Sequence, residues 1–200
     1  MKLLPFFFAL AMIFASNGCS SPPIGHPTLQ LPTPPAGPAK KAAFVVELLP
    51  IGVPEPLDIK QVVIRQSDSS MLVLNNDRWL SPLSEEMRSA LSPQIAQRLG
   101  TVDVSGLSKA DEQQRVRIQI QIRRFDLWPG NRVRLDADWS LSTKSGDQRR
   151  RLLCQSQLTL SAPDDYLQLF PLAQRLVNQL AVAIADTAEE WTGSAQSTCM

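Results

Sequence analysis

The sequence contains very little histidine: a single residue, His26, in a chain of 200. A serine–histidine–aspartate triad or a histidine-rich zinc site needs histidine inside the folded domain, and His26 precedes that domain in a proline-rich stretch. The nine glycines are scattered, and the chain has neither a P-loop nor a dinucleotide-binding glycine motif. We therefore predict no catalytic site, no metal and no cofactor.

Excess charge and long apolar runs are also missing. Lysine and arginine number 20 against 19 acidic residues, so the formal net charge is +1. Nucleic-acid binding relies on concentrated positive charge, and we predict no nucleic-acid partner. The apolar run from Leu3 to Ala15 has 13 residues. A membrane-spanning helix needs about 20, and no other stretch reaches that length.

The amino terminus has the three parts of a secretory signal peptide: positive Lys2, the apolar run, and a small-residue exit ending in Gly18 and Cys19. A cysteine directly after Gly18 is typical of a bacterial lipoprotein, cleaved before Cys19 and acylated on it. Each buried methylene of an acyl chain contributes about 0.8 kcal/mol, so several chains hold a protein on a membrane. The alternative is an ordinary cleaved signal in which Cys19 is incidental.

The residue after Cys19 gives an expected address. Aspartate there commonly marks inner-membrane retention in Gram-negative lipoproteins, and this chain has Ser20. We expect lipid anchoring to the outer membrane, on its periplasmic face. Residues 1–18 are then the signal, 19–41 a lipidated proline-rich tether, 42–192 the folded domain and 193–200 a flexible tail. Proline-rich chain extends by about 3.1 Å per residue, which would let the domain reach away from the membrane.

Two further cysteines, Cys154 and Cys199, leave two alternatives open. An oxidising periplasm permits a disulfide between them, which would hold the tail against the domain. Otherwise Cys154 is a buried thiol and Cys199 lies loose. Cys154 falls on the apolar face of its segment, and this position favours the free thiol.

Alternating and helical patterns predict the fold. Three segments between Val116 and Leu160 alternate apolar and polar residues and are separated by turns, which predicts an antiparallel meander with one buried face. A hairpin is predicted around residues 59–74. Ser81 as N-cap and Pro82 as first helical residue open a helix that Gly100 ends, and a second helix follows Asp165. The predicted class is α+β: a two-layer sandwich whose mainly antiparallel sheet is covered on one face by two amphipathic helices.

Aromatic and polar residues near strand ends suggest a contact surface for a partner or a lipid. Trp79 is either a core residue or an interface anchor, because tryptophan is enriched at binding hot spots. Phe125 and Trp128 suggest a partly exposed apolar rim. The run Arg149–Arg151 is either a solvated hairpin end, which is favoured, or a headgroup or partner contact. The candidate contact residues are Arg65, Asn75, Asn76, Trp79, Phe125 and Trp128.

Two segments, Leu57–Arg65 and Asn75–Leu83, resemble the PqiC family of ABC-type transport auxiliary lipoproteins, also called membrane-integrity-associated transporter subunits. The second segment has that family's tryptophan followed by a proline–leucine helix start. The likeness extends over roughly residues 43–191. The sequence departs from the family at Pro56, where a tyrosine is common, and at His26–Leu29, where paired tyrosines are common.

This resemblance implies a non-enzymatic protein of the outer membrane. Its partners would be a periplasmic MCE-domain protein and the membrane permease of that system, which together carry lipid between membranes, and its own copies would assemble into a ring. The alternative is an assembly or pilot lipoprotein of another envelope complex. A serine–lysine hydrolase is least favoured, because no Ser-x-x-Lys site is recognisable.

Overall fold

Six strands and two long helices make up most of the described part of the chain. The computed structural model describes residues 25–32, 41–107, 114–145, 148–194 and 198–199. The predicted signal, Cys19 and most of the proline-rich stretch therefore lie outside the described residues. The strands are β1 (Val45–Leu48), β2 (Gln61–Arg65), β3 (Met71–Arg78), β4 (Arg115–Trp128), β5 (Arg132–Ser145) and β6 (Gln148–Ser161), and the helices are α1 (Leu83–Leu99) and α2 (Leu169–Gly193).

The main sheet has the order β1-β4-β5-β6, and the antiparallel pairing of β4, β5 and β6 confirms the predicted meander. Strand β1 runs parallel to β4, with Val46 opposite Val116. One face of the meander is buried; Val116, Ile118 and Ile120 are almost completely inaccessible to solvent. Helix α2 packs on this sheet and α1 packs on α2, which confirms the α+β class.

The predicted hairpin forms a separate sheet. Strands β2 and β3 pair only with each other as named strands, and β2 packs against β4. Strand β3 runs on to Arg78, so Asn75 and Asn76 lie within the strand, past the predicted end of the hairpin at residue 74. The sequence pattern had placed all strands in one sheet. The structure corrects this, because a hairpin can satisfy its backbone locally and attach by side chains.

A β-bulge in β4 decides which residues reach the core. The register of β4 and β5 shifts between Ile122 and Arg124. Before the bulge the buried residues have even numbers, and after it Phe125 and Leu127 are buried. One extra residue in a strand reverses which face of the sheet the odd-numbered and even-numbered side chains occupy after it. Phe125 is therefore a core residue, and the predicted exposed rim at this position is wrong.

Helix α1 begins in a way the sequence did not reveal. Its N-cap is Pro82, and Ser81 makes no cap. The remote carboxylate of Asp58 instead accepts a hydrogen bond from the backbone N–H of Ser84 at 2.9 Å. A side-chain oxygen at this position satisfies one of the unpaired donors of a helix start. At the other end Gly100 has a φ of 59°, the left-handed conformation that glycine adopts most readily, and ends the helix as predicted.

Part of the expected tether belongs to the folded domain. Leu29 is fully buried, and its N–H together with the Thr28 hydroxyl donates to the buried carboxylate of Glu86 on α1, at 2.9 and 2.7 Å. The side chain of Gln174 on α2 donates to the carbonyls of Thr28 and Gln30. Residues 28–30 thus contact both helices. A proline-rich composition had indicated extended chain, whereas one leucine and two helix side chains fix this segment.

Of the two alternatives for the cysteines, the structure contains the bridge: a disulfide joins Cys154 to Cys199 across 45 residues of sequence. Cys154 is buried at the edge of the sheet and Cys199 is exposed. The apolar position of Cys154 therefore does not prevent pairing. Since β6 is an edge strand, the tail can reach a buried sulfur there from outside the sheet.

Replacing Cys199 with serine is expected to lower the free energy of unfolding by about 2 kcal/mol. The bridge closes 45 residues in the unfolded chain, whereas the folded protein already holds Cys199 within a tail of about six residues beyond Gly193. Loop-closure entropy grows with the logarithm of loop length, so the ratio of the long loop in the unfolded chain to the short tail in the folded protein gives the estimate. Urea unfolding of the variant, with reduced wild-type protein as a second measurement, checks it. Equal midpoints for all three proteins would show that the bridge contributes nothing.

Candidate docking surface

Trp79 lies in the core at the base of the β2–β3 hairpin. Trp79 is 3% exposed, its ring meets that of Phe170 edge to face at 6.0 Å, and its backbone N–H donates to the Lys60 carbonyl. An anchor for a partner needs accessible surface. The structure therefore favours the core alternative and removes Trp79 from the contact surface. Phe125 is excluded for the same reason, and both rings line the space between the hairpin, β4 and the start of α1.

Arg65 joins the hairpin to the main sheet. One of its terminal nitrogens donates to Asp126 at 2.9 Å, and the other donates to the carbonyls of Ser67 and Asp68 in the hairpin turn. The Asp126 side chain is only 2% exposed. A buried carboxylate needs an ion pair or hydrogen bonds, because desolvation alone penalises its charge. Arg65 therefore has a structural role and orients the turn at residues 66–70.

The remaining predicted contact residues are accessible. Asn75 and Asn76 are exposed on β3, and the Asn76 carbonyl accepts the N–H of Gly25 at 2.7 Å. Trp128 is half-buried at the β4–β5 turn, with the guanidinium of Arg132 5.2 Å from its ring centroid. The structure thus places Trp79 and Phe125 in the core beneath the hairpin, uses Arg65 to hold the hairpin turn, and leaves the other three residues at the surface.

The strongest surface feature is one the sequence reasoning missed. Met71, Leu72 and Val73 are consecutive residues of β3, and they are 43%, 41% and 45% exposed. Side chains alternate between the two faces of a strand, so both faces of this segment are open. Three consecutive exposed apolar residues form a patch that monomeric proteins usually cover. The uninterrupted run Met71–Leu74 was a usable signal, because a half-buried strand normally alternates with polar residues.

The backbone of the same segment also has an open edge. Strand β3 pairs with β2 along one edge, and on its other edge the described residues provide only Gly25, beside Asp77. Within the described part of the chain, the outer edge of Met71–Leu74 therefore has no strand partner and lies next to apolar side chains. Such an edge is a template for an added strand. We call Met71–Val73 and this edge the hairpin edge.

The far end of β3 is fixed to the segment before α2. The Tyr166 hydroxyl donates to the Asp77 carboxylate at 3.4 Å, and the Tyr166 ring packs on Phe170 at 6.3 Å. The negative charge of Asp77 raises the pKa of Tyr166, with smaller effects from partial burial and from the hydrogen bond itself. A protonated Tyr166 keeps this donor at neutral pH. The hairpin is thus held at both ends while its middle stays exposed.

Metal-ligating side chains are dispersed in the described ranges. No group of three or more histidine, cysteine, aspartate or glutamate side chains there is placed to hold a metal. The single histidine, His26, lies with its Nδ1 3.1 Å from the Arg78 carbonyl beside β3. No helix in the described part of the chain is long and apolar enough to cross a membrane. Gly18 and Cys19, the predicted cleavage and lipidation residues, lie outside that part.

Comparisons with known proteins agree with this architecture. The family model described as "ABC-type transport auxiliary lipoprotein component" matches residues 28–185. An uncharacterized protein of known crystal structure is 20% identical, with a TM-score of 0.64 over 82% of this chain and 98% of its own. A Xanthomonas campestris protein assigned to the DUF330 family is 11% identical, with a TM-score of 0.60 over 86% of this chain and 99% of its own. A search of curated proteins found no match.

Proposed function

Because the chain belongs to the ABC-type transport auxiliary lipoprotein family, of which PqiC is a member, we propose that it is the docking subunit of an MCE-type lipid transport system. It would be anchored to the outer membrane through acylated Cys19 and would face the periplasm. In this role it binds the periplasmic MCE-domain protein of a permease complex and performs no catalysis. The family description gives an auxiliary role in ABC-type transport, and the MCE-type lipid transport system is the specific transporter that we propose.

The hairpin edge is the observation that carries this proposal. A folded domain that acts as an adaptor needs a surface that is complete only when a partner covers it. Met71, Leu72 and Val73 supply exposed apolar area, and the adjacent backbone supplies unpaired donors and acceptors. A strand or loop of the partner can add to this edge by main-chain hydrogen bonds, with specificity from the alternating side chains.

The packing below the hairpin makes the edge suitable for docking. Arg65 holds the turn to Asp126, and Trp79 fixes the base against Phe170. A rigid strand loses little conformational entropy on binding, so the cost of ordering it does not offset the free energy of its contacts. The docked segment 25–32 also leaves the proline-rich residues between Cys19 and Gly25 as the connection to the membrane. This arrangement supports a domain held at short reach from its anchor.

Site-specific photo-crosslinking in cells tests the proposal. A photoreactive residue at Leu72 is expected to capture an MCE-domain protein, whereas the same probe at exposed Arg175 on α2 is expected to capture none. Capture of a secretion-channel subunit would favour the pilot-lipoprotein alternative. Capture of a second copy of this chain would indicate that the hairpin edge forms the ring that the family resemblance implies. Equal yields from Leu72 and Arg175 would contradict a docking role.

A charged residue on the hairpin edge is expected to abolish capture without unfolding the protein. Lysine on an edge strand opposes the addition of another strand. We expect Leu72→Lys to reduce the co-purified partner at least about tenfold, which corresponds to about 1.4 kcal/mol, because an apolar contact and the neighbouring strand addition are both lost. The thermal midpoint should stay unchanged, since exposed substitutions usually alter stability by about 0.5 kcal/mol or less. Unchanged co-purification would place the interface elsewhere.

A further inference from the structure

The arginine run at the start of β6 is divided between two faces of the sheet. Arg150 lies over the Trp191 ring at 4.9 Å and donates to the carbonyls of Trp191 and Ser194, so it holds the end of α2. Successive side chains of a strand point to opposite faces. Arg149 and Arg151 therefore lie on the outer face of the sheet, opposite to the helices, and both are exposed.

Other cations meet these two on the same face. The register of β5 and β6 places Lys144 directly opposite Arg149 and Ser142 opposite Arg151. Ser142 in turn lies opposite Arg117 of β4. Directly opposed residues have Cβ atoms about 5 Å apart, and like charges at this spacing destabilise a sheet. This cluster of Arg117, Lys144, Arg149 and Arg151 is called the cationic face below.

Among the described residues, Glu47 is the acid that forms ion pairs at the cationic face. Glu47 pairs with Arg117 at 2.9 Å and with Arg115 at 3.5 Å. The hydrogen bond from Arg117 is the main reason that the pKa of Glu47 is lowered, which keeps this acid ionised and committed to that pair. Lys144, Arg149 and Arg151 have no ion pair with any described residue. Within the described part of the chain, these three neighbouring cations are therefore open to an external anion.

The shape of the surface fits a bound group. The cationic face lines a concavity of about 510 Å³ that is also lined by Ser140 and Ser142. A second concavity of about 650 Å³ adjoins it, shares Ser140 and Arg151, and continues past exposed Leu153. Guanidinium groups bind phosphate oxygens with two parallel hydrogen bonds, and hydroxyls add further donors. The volume accommodates a phosphate together with the group esterified to it.

We propose that the cationic face binds a phosphoryl anion, with Arg149 and Arg151 as its main ligands and Lys144 as a third positive charge. Binding would remove the repulsion between Lys144 and Arg149 and occupy the concavity. The site lies on β4–β6, apart from the hairpin edge, and therefore does not depend on the proposed docking function. The anion is either the headgroup of a phospholipid or a soluble phosphate, and the experiment separates these sources.

Thermal unfolding of the acylated full chain in neutral detergent micelles tests the site. The protein is heated with inorganic phosphate, with micelles containing phosphatidylglycerol, and with micelles containing phosphatidylcholine. A ligand that binds only the folded state raises the midpoint in proportion to its occupancy. A rise with phosphatidylglycerol alone identifies an anionic lipid headgroup, and a rise with inorganic phosphate identifies a soluble anion. No rise with either of these two would overturn the proposal.

Matched variants show whether the cationic face is responsible. Arg149→Gln with Arg151→Gln is expected to weaken the binding at least about tenfold, because both guanidinium groups that bind the phosphate oxygens are lost. Arg175→Gln, an exposed arginine on α2, should bind like the wild type. Without ligand the double variant should melt no lower than the wild type, since it loses only repulsion. Wild-type affinity in the double variant would contradict the site.

Discussion

Replacing Trp79 with alanine is expected to lower the free energy of unfolding by about 3–5 kcal/mol, the usual cost of truncating a buried tryptophan. The ring is almost completely buried between the hairpin and α2, where it contacts Phe170. Truncation leaves a cavity that the surrounding strands and helices cannot fill. Denaturant unfolding measures the loss. The hairpin should also lose protection from amide exchange before the meander does, because Trp79 joins it to the rest of the core.

The neighbouring residue provides the control for this substitution. Leu80 follows Trp79 in sequence and is largely exposed. Leu80→Ala should change the free energy of unfolding by about 0.5 kcal/mol or less. If Trp79→Ala kept wild-type stability but lost its partner in cells, the tryptophan would be an interface anchor after all. The two variants together separate the two functions that the sequence had left open for this residue.

Replacing Arg65 with methionine is expected to destabilise the protein by about 3 kcal/mol. The substitution leaves the buried carboxylate of Asp126 without its closest cation, and breaking a buried ion pair costs about 3–5 kcal/mol. The lower value applies because the Arg65 side chain is 18% exposed to solvent. In addition, Nε of Arg124 lies 3.9 Å from the other carboxylate oxygen of Asp126. The same change also removes two hydrogen bonds to the hairpin turn. Equilibrium unfolding in urea is the measurement.

A second ion pair, formed by another residue of β4 with a residue of β5, provides the comparison. Arg123 and Asp138 are 2.6 Å apart, but both are well exposed. Arg123→Met should therefore cost about 1 kcal/mol or less. Combining Arg65→Met with Asp126→Leu should recover most of the stability, since the buried charge disappears with its partner. An Arg65 variant no less stable than the Arg123 variant would show that Asp126 is solvated in solution.

The periodic elements could be predicted because their signal is local. Alternation from Val116 to Ile122 and helical spacing from Leu83 to Leu99 each require one apolar face, whatever the element packs against. The meander, both helices and the α+β class followed from these patterns. Gly100 ended α1 for an equally local reason, since its positive φ suits glycine. The family resemblance was confirmed by the matching family model over residues 28–185.

The candidate site was harder to predict because exposure depends on what packs nearby. Trp79 and Phe125 have the composition of an interface and are buried by the hairpin and by a β-bulge. Met71–Val73 has the composition of a core strand and is exposed. The missing alternation in Met71–Leu74 marks this strand as unusual, but it does not tell a fully buried strand from an exposed one. Composition predicted a contact surface near these strand ends, and only the packing identified which residues there face outward.

The sequence by itself determined the strands of the meander, the helical stripes and the family. The tertiary structure alone decided that β1 runs parallel to β4, that Asp58 caps α1, that Glu86 holds residues 28 and 29, and that Cys154 reaches Cys199. The physical reason is the distance along the sequence between the residues that interact. Periodicity follows from neighbouring residues on one element, whereas each of these contacts joins residues far apart in sequence and forms only when the whole core closes.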